Sequence, residues 1–227
     1  MSIIIALDGP SGSGKSTIAK LIAKKYNLVH IDSGAMYRAM TLYCLENNID
    51  PKDEVKVCQA IPSANISFSS KGVIMLNGKD VSKEIREHRV SDTVSFVSSY
   101  KQVRLKLIEL QREIGKHQSI IMDGRDIGTF VFPNADVKIY QVASAETRAL
   151  RRQKQNELAG IKSNYEDVLK NIQTRDYIDS HREFDPSKKA DDAIEVDTSS
   201  ITIEQVVEEC SKIIDKKLKE LKKLWNY

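Results

Sequence analysis

Cysteine is scarce in this chain of 227 residues, which contains three cysteines and no C-x-x-C pair. The thiols are far apart, at Cys44, Cys58 and Cys210. A small disulfide-stapled protein carries paired cysteines at close spacing, so this pattern favours free thiols in a reducing compartment. We therefore expect a cytoplasmic protein without structural disulfides.

Long apolar runs are also missing, and we expect no leader sequence. No stretch approaches the roughly 20 apolar residues that a membrane helix needs. The first apolar run, residues 3–7, is too short for the core of a signal peptide and follows no basic segment. These features predict no membrane partner.

Neither sign of charge is in large excess, because 35 Lys+Arg face 32 Asp+Glu and give a net charge of +3. This balance does not by itself indicate a nucleic-acid partner. The C-terminal segment is rich in lysine, but Leu218, Leu221, Leu224 and Trp225 keep helical spacing. That spacing favours a helix with a solvated charged face over an arm that binds nucleic acid or membrane.

Short apolar runs rich in β-branched residues alternate with helical patterns. The predicted strands are residues 3–7, 29–31, 120–122, 137–142 and 193–196. Runs that are apolar at successive positions are typical of parallel strands buried on both faces. In one helical pattern, Val103, Leu107, Leu110 and Ile114 advance by three or four, and Gly115 stands where a C-terminal cap is expected. The alternation predicts a three-layer α/β fold.

One region, about residues 62–95, does not fit the alternation. Its sequence "NISFSSKGVIMLNGKDVSKEI" predicts two or three short antiparallel strands. Lys71-Gly72 marks one turn, and Asn77-Gly78 is a strong type I′ hairpin signal. We interpret this region as an insertion that stands off the core of one domain covering residues 1–227.

The segment "GPSGSGKS" matches the phosphate-binding pattern G-x-x-x-x-G-K-[ST]. Glycines let successive backbone N–H groups converge on phosphate oxygens, and the helix that follows directs its positive end at them. In this pattern Lys15 reaches the β- and γ-phosphates, and the Ser16 hydroxyl ligates Mg²⁺. A buried strand before the segment and an amphipathic helix after it favour an ATP site over a flexible turn. The predicted ATP-binding residues are Gly9, Pro10, Ser11, Gly12, Ser13, Gly14, Lys15, Ser16 and Thr17.

Besides the Ser16 hydroxyl, a carboxylate is expected at the end of another buried strand, where it can hold the water shell of Mg²⁺. The segment "SIIMDGRD" supplies Asp123 and Asp126 there. For Asp123 alone, an ordinary Asp-Gly turn at the strand end is the alternative. We predict Ser16 and Asp123 as metal-binding residues, Asp123 through water.

Arginines are the residues best suited to bring anionic substrates together, because the planar guanidinium binds phosphate oxygens bidentately and stays charged. Arg148, Arg151 and Arg152 share a helix face, which is either solvated or closes over phosphate as part of a lid at about residues 148–165. The string "NGKD" at residues 77–80 resembles the guanine-reading N-K-x-D of regulatory GTPases, but its lysine is one position late. Its place in a predicted hairpin favours turn chemistry.

Four segments, "DGPSGSGKST", "DSGAMYRA", "DGRDIGTFVFPNADVKIY" and "RDYIDSHR", follow one another along nearly the whole chain. Together they resemble the bacterial type of the cytidylate kinase family, and the second and third are far more specific than the glycine loop. The resemblance implies a monomeric P-loop NTPase fold with a five-stranded parallel sheet, a substrate-side antiparallel insertion and a short helical lid. It also implies phosphorylation of CMP and dCMP by ATP with Mg²⁺.

The same resemblance assigns the acceptor site residue by residue. It places the base at Ser33, Arg104 and Asp126, the acceptor phosphate at Arg38, Arg125 and Arg182, and the pentose at Ser95, Arg175 and Asp179. Cytosine carries an amino donor and an unprotonated N3, so a carboxylate and a hydroxyl can accept from the amino group while a cation faces N3 and O2. A site that leaves such groups unpaired with the wrong base discriminates strongly.

The attacking phosphate oxygen is already anionic, so the transfer needs no covalent nucleophile, only positioning and charge stabilisation. The predicted catalytic residues are Lys15, Arg148, Arg152 and Arg182. Alternatives stay open: Ser33 as a helix N-cap, Asp179 as a surface acid, and Ser95 as one of several serines. Another acceptor, such as a different nucleotide or shikimate, and a non-catalytic ATP- or RNA-binding switch are the competing functions.

Overall fold

The computed structural model describes residues 2–70, 72–158 and 160–225. Its strands are β1 (Ile4–Asp8), β2 (Val29–Asp32), β3 (Ile66–Phe68), β4 (Ile74–Leu76), β5 (Lys79–Asp80), β6 (Ile120–Gly124), β7 (Val137–Val142) and β8 (Ile194–Asp197). Its α-helices are α1 (Lys15–Tyr26), α2 (Ser33–Glu46), α3 (Glu54–Ala60), α4 (His88–Ser99), α5 (Lys101–His117), α6 (Ala145–Leu158), α7 (Tyr165–His181) and α8 (Ile203–Trp225). No helix among these residues is both long and apolar enough to cross a membrane.

The main sheet has five strands in the order β2-β6-β1-β7-β8, and every neighbouring pair is parallel. This confirms the predicted sheet, because each predicted strand begins and ends within two residues of the observed strand. Along β1, Ile5 and Leu7 contact one apolar cluster, whereas Ala6 contacts another on the opposite face. The central strands are thus buried on both faces, as their uninterrupted apolar sequences require.

Helices cover both faces of this sheet and complete the predicted three layers. On one face, α1 and α8 pack with β1 and β7, through residues such as Ile18 and Ile214. On the other face, Ile108 of α5 and Val131 pack against Met122 of β6. Because the five strands are parallel, their carboxyl ends lie together at one end of the sheet. Ligands of open parallel sheets bind at this end.

The predicted cap at Gly115 is wrong, because α5 continues through this residue to His117. Glycine is needed there for space. A Cβ on Gly115 would lie 2.7 Å from Cζ of Phe132, whose ring presses against this turn of the helix.

The antiparallel strands β3, β4 and β5 form a separate sheet, and the hairpin expected at residues 77–78 joins the last two. Asn77 and Gly78 have φ of 49° and 80°, the left-handed values that a type I′ turn needs. Because "NGKD" runs through this hairpin, its reading as turn chemistry is confirmed. Of the other predicted turn, Lys71 lies outside the described residues.

The insertion differs from the prediction in how it packs. Residues 88–95 belong to helix α4, and Ile66, Ile74 and Val94 share a buried cluster with Met36 of α2. The antiparallel sheet therefore packs on helices α2 and α4 instead of standing off. The limits of the insertion, and of the lid at about residues 148–165, stay predictions. Ala159 and the side chains of Leu224 and Trp225 lie outside the described part of the chain.

Candidate active site

A cleft of about 880 Å³ opens at the carboxyl ends of the parallel strands. The glycine loop after β1, the start of α2 and the segment after β6 form its floor, and α4, α6 and α7 form its sides. The predicted site residues that line it are Ser11, Gly12, Ser13, Gly14, Lys15, Ser16, Thr17, Ser33, Arg38, Ser95, Arg104, Asp123, Arg125, Asp126, Arg152, Arg175, Asp179 and Arg182. Gly9, Pro10 and Arg148 were also predicted as site residues, but they lie behind this lining.

The glycine loop has the backbone conformation that its glycines allow. Gly9, Gly12 and Gly14 have φ of 149°, 75° and 90°. A Cβ on Gly9 would lie 1.9 Å from the carbonyl oxygen of Gln141, so only glycine lets the loop leave β1 beside β7. Gly9 therefore shapes the loop from behind, which explains why it does not line the cleft.

Lys15 begins α1, and its side chain curls back over the loop. Its Nζ donates to the Pro10 carbonyl at 2.7 Å and to Ser13 Oγ at 3.2 Å. Burial, together with the nearby Arg125, holds the pKa of Lys15 well below its usual range. A phosphate that enters the loop meets this amine and the N-terminus of α1 at the same place.

Ser16 and Asp123 are in direct contact, so both side chains lie at the same point of the cleft. Ser16 Oγ donates to Asp123 Oδ2 at 2.7 Å, and Nε2 of His30 lies 2.6 Å from Asp123 Oδ1. Asp123 belongs to β6 and is buried, so its reading as a strand-end turn is wrong. The described residues contain no cluster of three or more His, Cys, Asp or Glu that could hold a metal alone. Mg²⁺ needs only one or two protein ligands beside phosphate and water, so this pair fits it.

Arginines converge on the middle of the cleft from separate elements. Two of them are paired with acids: Arg38 lies 2.8 Å from Asp32, and Arg125 lies 3.1 Å from Asp179. Asp179 is 8% exposed, so its reading as a surface acid is wrong. These ion pairs hold the guanidinium groups in the cleft wall.

Arg152 on α6 and Arg175 on α7 reach the same place without an ion pair to any described residue. The Nε of each is buried and has no hydrogen-bond partner. Burial and the neighbouring Arg125 lower the pKa of Arg175 to about 10. Cations that repel one another around an enclosed space fit a site for phosphate anions.

The far end of the cleft is built around one buried ion pair. Arg104 is 1% exposed, and its Nη2 donates to Asp126 Oδ2 at 2.5 Å. Burial alone would raise the pKa of Asp126, but Arg104 holds the pKa of this carboxyl below its usual range. Arg182 adds a cation 3.8 Å from the other oxygen of Asp126. The arrangement offers donors and an anionic acceptor to a flat polar ligand.

Ser33 stands beside this pair and does not cap its helix. The N-cap of α2 is Asp32, whose side chain accepts from the backbone N–H of Ala35, so the capping alternative for Ser33 is wrong. Ser33 Oγ donates to the carbonyl of Asp123 at 2.7 Å, and the residue is part of the cleft lining. Ser95 on α4 is buried in the opposite wall.

Arg148 does not reach over the cleft as a lid arginine would. Its Nη1 donates to the Ser11 carbonyl at 2.9 Å and to Asp176 at 2.5 Å, which ties α6 and α7 to the back of the glycine loop. In this geometry Arg148 supports the glycine loop. A catalytic role for Arg148 stays a prediction.

Arg151, predicted as part of the lid helix face but not assigned a role, donates to the carbonyl and hydroxyl of Thr198 beside the loop. Two residues near the site were missed by sequence reasoning: His30, which contacts Asp123, and Asp185. Asp185 lies in a polar stretch that is typical of a loop, and its Oδ2 lies 2.6 Å from Nη2 of Arg104. Arg151 shared a helix face with two predicted arginines, which was a usable signal. His30 and Asp185 carried none.

The parallel sheet, the glycine loop and the arginine-lined cleft together define a kinase of the P-loop class. Two solved structures share the fold: a protein from Eubacterium ventriosum (12% identity, TM-score 0.55, 95% of this chain and 99% of that one), and a gluconokinase from Sinorhizobium meliloti (14% identity, TM-score 0.52, 96% and 95%). At this identity they show the fold alone.

Sequence similarity identifies the family of this chain, which the shared fold does not. The sequence model of cytidylate kinase matches residues 5–216. Curated cytidylate kinases are similar to this chain over 95% of its length: one from Fusobacterium nucleatum at 53% identity, covering 98% of that protein, one from Lactobacillus johnsonii at 47%, covering 95%, and one from Clostridium botulinum at 48%, covering 99%. The chain belongs to the cytidylate kinase family, which confirms the resemblance found in its motifs.

Proposed function

We propose that this kinase phosphorylates CMP and dCMP with ATP to give CDP and dCDP, by direct in-line transfer to the acceptor phosphate. The observation that carries the proposal is that one cleft joins the glycine loop to the buried Arg104–Asp126 pair, with the arginines between them. A donor and an acceptor nucleotide need such adjacent sites, because transfer requires their phosphates to be in line.

At the donor end, the backbone N–H groups of residues 9–17 and the N-terminus of α1 bind the phosphates of ATP. Lys15 leaves its contacts with Pro10 and Ser13 to meet the β- and γ-phosphates. Ser16 would hold Mg²⁺ directly, and Asp123 would hold it through water. When bound, the ion neutralises charge on the β- and γ-oxygens.

At the acceptor end, Asp126 and Ser33 accept from the amino group of cytosine, and Arg104 donates to its ring. Arg38, Arg125 and Arg182 bind the acceptor phosphate, and Ser95, Arg175 and Asp179 bind the pentose. Arg152, which has no ion pair among the described residues, is the cation best placed to move onto the transferring group. We further propose that the protein acts on these small molecules as a monomer.

The function is tested by ADP release from ATP in the presence of CMP, dCMP, UMP, AMP, shikimate or gluconate. We expect CMP and dCMP to give the fastest turnover. Fastest turnover with AMP, shikimate or gluconate contradicts the proposal. No acceptor-dependent turnover favours a nucleotide-binding switch.

A further inference from the structure

One carboxyl group beside Arg104 has no part in the proposed function. Asp185 belongs to the segment after α7, and its Oδ2 lies 2.6 Å from Nη2 of Arg104. The Asp185 side chain is 4% exposed. Its backbone has φ of 51°, in the left-handed region, where Asp and Asn are better tolerated than most residues.

Arg104 is the residue on which Asp185 acts. Its Nη2 donates to Asp126 and to Asp185, and its Nη1 donates to the Ser98 carbonyl at 3.2 Å. The guanidinium also lies over the ring of Tyr37, 5.5 Å from its centre. Two charge-assisted contacts thus fix the same nitrogen, and without Asp185 only Asp126 holds it.

Arg104 and Asp126 line the cleft, whereas Asp185 does not. The side chain of Asp185 can therefore affect a bound acceptor through these two residues, whereas its backbone carbonyl accepts from Arg182 Nε at 2.6 Å. We propose that Asp185 is a positioning residue for base recognition, because it orients the Arg104 guanidinium and the Asp126 carboxylate toward the base. The inference rests on the proposed function, in which Arg104 and Asp126 meet cytosine.

The charges around Asp185 make its effect depend on pH. The titratable and charged groups that face it are Tyr37 from α2, Arg104 from α5, Asp126 after β6 and Arg182 directly after α7. Burial and a hydrogen bond with Asp126 raise the pKa of Asp185 to about 8. At pH 7 the carboxyl of Asp185 thus donates its proton to Asp126 and accepts from Arg104. Above pH 8 it adds a negative charge that opposes an anionic acceptor.

Two substitutions separate these effects. Asp185→Asn imitates the protonated carboxyl, since the amide N–H can donate to Asp126 and the amide oxygen can accept from Arg104, but it cannot ionise. Asp185→Gly removes the side chain and tolerates φ of 51° without strain. Asp191→Asn, an exposed acid of the same segment, is the matched control.

The experiment measures kcat and KM for CMP, UMP and ATP between pH 6 and pH 9. We expect Asp185→Gly to raise KM for CMP about tenfold and to lower the CMP-over-UMP preference about tenfold, the effect of losing one charge-assisted hydrogen bond. Its KM for ATP should stay within about twofold of the native value. Asp185→Asn should keep the native KM for CMP at pH 7 and lose the rise in KM above pH 8.

A native KM and base preference in Asp185→Gly overturn the inference, as does an equal rise in KM for ATP, which indicates a general structural role. If circular dichroism shows that Asp185→Gly does not fold, the Asp185→Asn profile decides, and a native rise above pH 8 overturns the inference. Failure of the native enzyme to phosphorylate CMP is a different result, since it contradicts the proposed function.

Discussion

Lys15 is the single residue whose loss should affect turnover most. Its buried amine lies inside the glycine loop, where it donates to the Pro10 carbonyl. We expect Lys15→Ala to lower kcat with ATP and CMP by at least about 100-fold, as for loss of a preorganised donor to developing charge. Steady-state ADP release measures the effect. Lys24→Ala, an exposed lysine of the same helix, is the control, and an equal loss in both variants contradicts the assigned role.

Asp8 is a buried carboxyl that holds the segment after β6 by accepting from the N–H groups of Ile127 and Gly128. Burial raises its pKa from 3.8 to about 7. Between these values the folded state keeps a proton that the unfolded state has released. The free energy of unfolding therefore falls as the pH rises from about 4 to 7, by at most about 1.4 kcal/mol per pH unit.

Asp8→Asn has no proton to lose, so it should lack this part of the pH dependence. Urea unfolding at several pH values between 4 and 8 gives the slope for each protein. The exposed Asp191→Asn should keep the native slope. If Asp8→Asn keeps it as well, Asp8 is already ionised in the folded protein and its raised pKa is wrong.

The residues that could be predicted are those whose chemistry depends on fixed spacing along the chain. Lys15 and Ser16 follow from one glycine pattern, and Asp123 follows from its place on a buried strand. Asp185 could not be predicted, because its role depends on a contact with Arg104 across 81 positions of sequence. Such a contact leaves no periodicity or motif to recognise.

Helix α5 contains a glycine in its interior that packing explains. Alanine at Gly115 would favour the helix by about 1 kcal/mol. Its Cβ would, however, meet the Phe132 ring at 2.7 Å, and overpacking of this kind costs about 1–3 kcal/mol. We expect Gly115→Ala to lower the free energy of unfolding, measured in urea. Adding Phe132→Leu should recover part of the loss, and a stabilised single variant contradicts this packing.

The parallel strands were predictable because burial on both faces demands uninterrupted apolar runs. The hairpin at Asn77 and Gly78 was predictable because a type I′ turn needs left-handed residues. The packing of the insertion was not, since Ile66 and Val94 meet α2 through a cluster that joins distant segments. Gly115 was misread for the same reason, because its neighbour Phe132 lies on another element.

At the scale of the whole molecule, a group of cations surrounds an enclosed cleft. Their mutual repulsion should lower the free energy of unfolding. Arg175 is a member of this group whose pKa is lowered to about 10 by burial and by Arg125. We expect Arg175→Met to raise the free energy of unfolding by about 1–2 kcal/mol without ligand, as for other charges replaced by apolar groups. The same variant should raise KM for CMP.

Thermal unfolding with and without phosphate measures both the stability of the free protein and its stabilisation by the anion. Phosphate should stabilise the native protein more than chloride at equal ionic strength, and it should stabilise Arg175→Met less. Lys170→Met, an exposed lysine of α7, is the control and should match the native protein. A less stable Arg175→Met with undiminished response to phosphate contradicts the role of this cluster.

In the proposed function, one cleft transfers phosphate from ATP to a nucleotide whose base is recognised by Asp126. The most direct measurement is kcat/KM for CMP and for UMP in the native enzyme and in Asp126→Ala, with KM for ATP as the internal control. We predict that the native enzyme prefers CMP and that Asp126→Ala loses this preference by about 100-fold, because the amino group of cytosine loses its acceptor. An unchanged CMP-over-UMP preference in Asp126→Ala would contradict recognition of the base by Asp126.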